Sequence, residues 1–191
     1  MLDRHELLAA AAQMEGHPDN VSACMHGGLV LSLVTDSGVA FRRYEPAPGI
    51  RLVLLVPEYE LPTVKARQAI PKTVPHRDAY FNLARVPFVV DKLVSGDLSD
   101  LAGFMDDRLH QPYRKDLVRE YDIIASEAEN AGAAAVCLSG AGPTMLAVCE
   151  EQHAAAVAAA MKNVLDALNI PSQTIVTQPD TEGARVVECE P

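Results

Sequence analysis

The chain has 191 residues, of which 49% are hydrophobic, and its 26 acidic and 16 basic side chains give a formal net charge of −10. This length and composition can supply the core of one large domain or one and a half, and they exclude a disordered or fibrous chain. The acidic balance argues against a nucleic-acid-binding surface and against a basic face that would bind a membrane.

The first quarter of the sequence predicts two helices and a hairpin. Helix-favouring residues run over Asp3–Met14, and a second helix is expected to begin near Pro18 or Asp19. Two strands, Leu29–Thr35 and Val39–Tyr44, are separated by a short polar turn that ends in glycine. A joint between two domains is expected in the Pro-rich stretch that follows.

The rest of the chain predicts strands that alternate with helices. The apolar run Arg51–Val56 is typical of a central strand covered on both faces. Two strands are expected within Ala134–Glu150. Helices are predicted over five segments: Val64–Ala69, Arg77–Val94, Leu98–Leu109, a longer one from about Arg114 through Asn130, and His153–Leu168. A last pair of strands is predicted at Gln173–Thr177 and Ala184–Glu188.

This alternation predicts an α+β sandwich. We expect Val53–Val56, the hairpin Ala135–Val148 and Gln173–Thr177 to share one sheet, because each is apolar and needs cover. Helix His153–Leu168 would supply that cover.

Targeting and metal signals are weak in this sequence. No stretch has the eighteen or so apolar residues of a membrane helix, and charges interrupt the N-terminal residues where a signal peptide would be apolar, so we expect a cytoplasmic protein. The four cysteines form no Cys-x-x-Cys pair and the histidines are dispersed, so we expect no structural metal such as zinc.

Two strings carry a family resemblance. The first is Glu15–Gly28, EGHPDNVSACMHGG, and the second is Leu138–Ala147, LSGAGPTMLA. Supporting pieces are PTVKAR, residues 62–67, and HQPYR, residues 110–114. Together they resemble the homoserine kinases of the GHMP small-molecule kinase superfamily. The resemblance implies that residues 1–47 are the end of the N-terminal, ATP-binding domain and that residues 48–191 form a ferredoxin-like α/β sandwich, the C-terminal domain.

The sequence departs from the family in two places. Ser22-Ala23 stands where Ala-Pro is common, and no Gly-Leu-Gly-Ser-Ser-type loop occurs before Glu15. In the family the backbone amides of that loop cradle the ATP phosphates at a helix N-terminus. The resemblance therefore covers the C-terminal two-thirds of a homoserine kinase, and we expect this chain alone to be inactive. An open reading frame upstream that encodes the loop would identify Met1 as a misplaced start.

The resemblance implies ATP-dependent phosphorylation of the side-chain hydroxyl of L-homoserine to O-phospho-L-homoserine, in threonine biosynthesis, as part of a longer enzyme. ATP and Mg²⁺ would be its cofactors, with L-homoserine as the substrate and a homodimer as one expected assembly. Two alternatives stay open: a truncated, non-catalytic α+β module, and another GHMP kinase that acts on mevalonate or a sugar.

Four site residues lie in the first string. An amide such as Asn20 can orient a hydroxyl, while Asp19 could take its proton or steady Mg²⁺. A helix cap explains both residues equally well on physical grounds. In the resemblance His17 contacts the amino-acid substrate and Glu15 is a Mg²⁺ ligand, although Glu15 is equally compatible with a solvated helix end.

The other site residues would bind the substrate carboxylate. Arg67 and Arg114 are ordinary surface arginines by default, but a guanidinium fork matches a carboxylate bidentately. Thr63 precedes Arg67 by one helical turn and would face the same pocket. The turn Ser139-Gly140-Ala141-Gly142 is either a simple hairpin connection or a backbone that approaches the substrate closely.

Overall fold

The computed structural model describes residues 3–62 and 68–187, and the chain divides into two compact units. The first unit contains the residues up to Pro46 and the segment that begins at Pro179, whereas the second runs from Ala47 to Gln178. This division places residues 179–187 with the first unit, whereas the sequence predicts a second domain over residues 48–191. In the described part of the chain no helix is long and apolar enough to cross a membrane.

The first unit holds two helices and one hairpin. Its elements are α1 (Arg4–Glu15), α2 (Asp19–His26), β1 (Leu29–Thr35) and β2 (Gly38–Tyr44). A capping box starts α1, in which the Asp3 side chain accepts from the Glu6 backbone and the Glu6 side chain accepts from the Asp3 backbone. The two strands pair antiparallel. The predicted helices and strands of this region are confirmed.

The C-terminal segment completes the first unit as irregular chain. Gly28 N–H donates to the carbonyl oxygen of Asp180 at 2.6 Å, and Ala184 N–H donates to that of Cys24 at 2.9 Å. The strand predicted at Ala184–Glu188 is wrong over residues 184–187, because this backbone bonds to the end of α2 instead of to a strand. Residue 188 lies outside the described residues.

The second unit is built on a four-stranded antiparallel sheet. Its strands are β3 (Ile50–Pro57), β4 (Ala133–Leu138), β5 (Met145–Glu150) and β6 (Ser172–Thr177). They lie in the order β4-β5-β3-β6, so β3 is central. This is the strand order of a ferredoxin-like sandwich. The prediction that these segments share one sheet is confirmed.

Helices cover both faces of this sheet. They are α3 (His76–Ser95), α4 (Leu101–Phe104), α5 (Gln111–Arg114), α6 (Tyr121–Asn130) and α7 (Ala154–Ala167), with 3₁₀ turns at Lys115–Leu117 and Glu151–His153. The larger core lies under α6 and α7, where Val53 and Leu55 of β3 pack with Met161 and Leu165 of α7. The smaller core joins Ile50 and the opposite face of the sheet to Leu98 and Leu101.

The helical predictions between β3 and β4 need correction. Of the expected helix Leu98–Leu109 only Leu101–Phe104 is helical, and the expected long helix to Asn130 is broken into α5, a 3₁₀ turn and α6. The carboxylate of Asp107 accepts from the backbone N–H groups that follow it and thereby stabilises a loop. Most of the predicted helix Val64–Ala69 lies outside the described residues.

Candidate functional site

Three predicted site residues meet where α1 passes into α2. Glu15 ends α1, and Gly16 at φ 89° turns the chain into His17. The His17 imidazole lies between two carboxylates: Nδ1 contacts Asp19 Oδ1, and Nε2 is 3.9 Å from Glu15 Oε1. These side chains retain 42 to 71% of their exposure, so they form an open polar cluster.

The carboxylate of Asp19 is held in its ionised form. Burial alone would raise the pKa of Asp19, but hydrogen bonds from the Asn20 backbone N–H, at 2.9 Å, and from His17 lower it overall. A carboxylate with a lowered pKa is a weak proton acceptor at neutral pH and a good partner for a cation. The Asn20 residue next to it is exposed.

The cluster offers oxygen donors for a hard cation. Over residues 3–62 and 68–187, no group of three or more His, Cys, Asp or Glu side chains is placed to hold a metal ion. Mg²⁺ commonly takes only one or two protein carboxylates and completes its shell with water and phosphate oxygens. The exposed carboxylates of Glu15 and Asp19 are of this chemical type.

In the second unit, Arg114 and the glycine-rich turn come together. Arg114 ends α5, and its Nη1 donates to the carbonyl oxygen of Gly140 at 3.0 Å. The turn is closed by Ser139 N–H donating to Thr144 O at 2.8 Å and by Gly142 N–H donating to Ser139 O at 3.1 Å. Gly140 and Gly142 have φ values of 60° and 78°, which a residue with a Cβ adopts only with strain.

Sequence reasoning missed Asp107, which fixes the start of α5. Its carboxylate accepts from the N–H groups of Leu109, His110 and Gln111 at 2.6, 2.9 and 2.6 Å, and from Asn82 Nδ2 of α3 at 2.7 Å. Burial alone would raise the pKa of Asp107, but these bonds lower it overall. Aspartate ahead of a short polar segment is a turn signal, and that signal could have identified the loop.

Gln111, the second residue of the HQPYR string, joins the same segment to the sheet. Its Oε1 accepts from the N–H of Leu138 at 3.0 Å and from the hydroxyl of Tyr121 at 3.2 Å. Burial raises the pKa of Tyr121 to about 12, so this phenol stays a donor. Asp107 and Gln111 therefore hold α5, and with it Arg114, at the end of β4.

The predicted site residues thus form one group in each unit. Glu15, His17, Asp19 and Asn20 are adjacent in the first unit, and Arg114 contacts the Ser139–Gly142 turn in the second. Thr63 and Arg67 lie outside the described residues.

The relatives found by comparison with known proteins are homoserine kinases, both by sequence and by structure. A homoserine kinase of Halothermothrix orenii is 35% identical over 95% of this chain and 58% of its own length. One of Gloeobacter violaceus is 44% identical over 84% of this chain and 53% of its own length. The crystal structure of homoserine kinase from Cytophaga hutchinsonii superposes with a TM-score of 0.87 at 27% identity, over 97% of this chain and 61% of that chain.

The chain spans about three fifths of the length of these homoserine kinases. The sequence model of the family described as GHMP kinases C terminal matches residues 89–167, which include α6, β4, β5 and α7 of the sandwich. Fold, strand order and family match agree, and this chain carries the C-terminal domain of the GHMP kinases.

Proposed function

We propose that this chain serves the ATP-dependent phosphorylation of the side-chain hydroxyl of L-homoserine, which yields O-phospho-L-homoserine for threonine biosynthesis, as part of a longer enzyme. The observation that carries the proposal is the similarity to homoserine kinases over 95% of the chain. The string EGHPDN and the two arginines, Arg67 and Arg114, favour an amino-acid substrate over mevalonate or a sugar.

Arg114 would bind the carboxylate of the amino acid. A guanidinium presents N–H donors in a planar fork that suits a carboxylate, and the bond from Arg114 to Gly140 O restrains the orientation of that plane. The proposal gives Arg67, Thr63 and His17 supporting contacts to the same substrate. The Ser139–Gly142 backbone would lie beside it.

Asn20 and Asp19 would act at the hydroxyl. The exposed Asn20 amide is suited to orienting the attacking oxygen, which is the main task in phosphoryl transfer. The lowered pKa of Asp19 favours an electrostatic role for its carboxylate over that of a base at neutral pH.

Glu15 and Asp19 would hold Mg²⁺, which neutralises charge on the phosphates when it is bound. We assign no residue to the ATP phosphates. The N-terminus of α1 is already capped by the carboxylates of Asp3 and Glu6, and these would repel a phosphate.

The test compares the 191-residue chain with the same chain joined behind the part of the Halothermothrix orenii homoserine kinase, about two fifths of its length, that this chain does not match. Calorimetry should show that the chain alone binds L-homoserine, and a coupled assay should show phosphate transfer only by the joined polypeptide. Turnover by the chain alone would refute its dependence on a longer enzyme. A folded joined polypeptide that prefers mevalonate or galactose to homoserine would refute the substrate.

Asn20→Ala in the joined polypeptide tests the role given to the Asn20 amide. This change should reduce kcat while leaving the affinity for L-homoserine within about twofold, because orientation acts mainly in the transition state. A loss of affinity with unchanged kcat would contradict the role given to Asn20.

A further inference from the structure

Residues 179–187, which we call the C-terminal strap, lie against the end of α2 in the first unit. The Ala184 N–H of the strap donates to the carbonyl oxygen of Cys24 at 2.9 Å. At Gly183, whose φ is 72°, a Cβ would come within 2.7 Å of the Gly27 backbone nitrogen. Backbone therefore packs directly against backbone at this contact, and glycine is required for the close approach.

Two arginines attach the strap to the end of α2. Arg4 of α1 donates through Nη2 to the carbonyl oxygen of Ala184 at 3.1 Å, and also to that of Met25. Arg43 of β2 donates through Nη2 to Thr181 O at 2.6 Å and through Nε to the carbonyl oxygen of the last residue of α2 at 3.0 Å. Each guanidinium therefore joins a carbonyl group of the strap to one in the last turn of α2.

The side chain of His26, the last residue of α2, is placed so that it is difficult to protonate. Its ring stacks on that of Phe41 of β2, with the centroids 4.0 Å apart. Its Nε2 atom is buried and has no hydrogen-bond partner among the described residues. A neutral imidazole leaves one ring nitrogen without a proton, whereas the imidazolium carries an N–H on both. Protonation would therefore bury an N–H that has no acceptor.

The charged groups around His26 also oppose a positive charge on it. Arg4 and His5 face it from α1, and Arg43 faces it from β2, while β1 has no ionisable side chain. Burial, and then these three groups, lower the pKa of His26. The neighbouring carboxylates already have partners: Asp3 and Glu6 in the capping box of α1, Glu45 on Arg43, Glu182 on Arg185, and Asp180 on two backbone N–H groups of the strap.

We propose that His26 is a pH-sensitive switch that controls the attachment of the C-terminal strap to α2. While the imidazole is neutral, Arg4 and Arg43 lie beside it and bind the carbonyl groups of the strap. A proton on His26 adds a positive charge next to both guanidiniums and an unsatisfied N–H at Nε2. Both costs are relieved when the strap leaves and water reaches the ring. The switch is independent of the proposed catalysis, since neither His26 nor the strap is among the predicted site residues.

The direction of the pH dependence follows from the lowered pKa of His26. In the released state the imidazole takes up a proton at its ordinary pKa, near 6.5, whereas in the closed state it does so only at lower pH. The neutral ring therefore stabilises the closed strap fully above the ordinary pKa, and this stabilisation is lost as the pH falls through the pKa of the closed state. Because one proton is involved, the opening equilibrium changes by no more than about tenfold per pH unit.

Amide hydrogen exchange in the 191-residue chain, corrected for the intrinsic effect of pH, measures the opening of the strap. The amides of Ala184 and Gly28 donate across the contact, and their protection should fall roughly five- to tenfold between about pH 7.5 and 5.5. The amide of Glu151 donates to Gly49 O in the second unit and should keep its protection, so it serves as the internal reference.

Substitution of His26 separates the switch from general destabilisation by acid. In His26→Phe the new ring can stack on Phe41 but cannot be protonated, so the protection of the strap should stay constant over the same pH range. His26→Gln is also uncharged and should give the same constant protection, which keeps the test decisive if one variant does not fold. The matched control is His5→Gln, which removes the other histidine near Phe41, 6.0 Å away between ring centroids, and should retain the loss seen in the wild type.

Three results would overturn the proposal. The first is a wild-type strap whose protection does not change over this pH range. The second is a loss that persists in both His26→Phe and His26→Gln, or that disappears in His5→Gln and so identifies His5 as the titrating group. The third is an equal loss at the Glu151 amide, which would mean that the whole chain unfolds and that the strap is not released by itself.

Discussion

Arg114 donates a hydrogen bond to the carbonyl oxygen of Gly140 at 3.0 Å, although the two residues are 26 positions apart in the sequence. The bond joins the HQPYR segment to the glycine-rich turn between β4 and β5. The two strings are separate in the sequence, and the second unit brings them into one place.

Arg114→Ala should weaken L-homoserine binding roughly 10- to 100-fold, because a lost charged hydrogen bond is worth about 1.5 to 3 kcal/mol. Arg114→Lys should not restore it fully, since lysine lacks the planar fork. Calorimetry on the chain measures the affinity, with Arg119→Ala, an exposed arginine five residues later, as the control. In the joined polypeptide the KM for ATP should stay nearly constant. Equal effects on both substrates would show that Arg114 does not bind the carboxylate.

Asp107→Asn should lower the free energy of unfolding at pH 7 by about 1 to 3 kcal/mol, since an amide cannot accept all the bonds that the carboxylate accepts. The folded chain lowers the pKa of Asp107, so this stabilisation is present above the ordinary aspartate pKa, near 3.9, and is lost as the pH falls through the folded value. The difference in urea unfolding between wild type and variant should therefore hold from pH 7 to 5 and shrink below about pH 4. Asp116→Asn, at an exposed position, should show neither effect.

Ser22→Ala should stabilise the chain. Ser22 is fully buried, and its hydroxyl has no hydrogen-bond partner among the described residues. Removing an unsatisfied buried hydroxyl should add about 1 kcal/mol to the free energy of unfolding. Ser126→Ala, an exposed change within α6, corrects for the higher helix propensity of alanine. An equal gain in both variants would mean that the Ser22 hydroxyl carries no penalty.

Gly27→Ala should cost at least about 2 kcal/mol of stability, clearly more than Gly16→Ala. Both glycines have positive φ, at 62° and 89°, and that strain alone costs about 1 to 2 kcal/mol. A Cβ at Gly16 would meet nothing within 4 Å, whereas one at Gly27 would come within 2.7 Å of the Gly183 backbone nitrogen. Thermal unfolding of the two variants isolates this contact, and equal losses would show that residue 183 does not press on Gly27.

The sheet could be predicted because its signal is local. β3 is nearly continuous in apolar residues and lies at the centre, as such a strand must when both faces are covered. For the segment from Leu98 to Leu109 the helix prediction is wrong over most of its length, because the spacing of its apolar residues fits a helix. The carboxylate of Asp107 accepts hydrogen bonds from the backbone N–H groups that follow it, in place of the hydrogen bonds of a helix. The spacing of apolar residues gives no information about such side-chain bonds.

The site was predicted less completely for a related reason. Motif strings indicated Asp19, Asn20 and Arg114, whose chemistry is visible in the residue type. Asp107 and Gln111 act by positioning other groups, and their partners Asn82, Tyr121 and Leu138 are distant in sequence. Only the fold identifies such pairs.

Because residues 179–187 belong to the first unit, they also determine the order in which the two units can fold during synthesis. Gly28 and Cys24 bond to Asp180 and Ala184, and Arg43 Nη2 donates to Thr181 O at 2.6 Å. These partners are synthesised after the whole of Ala47–Gln178. The second unit is continuous and can fold during translation, while α1, α2 and their hairpin must wait for residues 179–187. A nascent chain that ends at Gln178 and is tethered to the ribosome by a flexible linker longer than the exit tunnel should therefore display a protease-resistant sandwich behind an N-terminal region that is still cleaved.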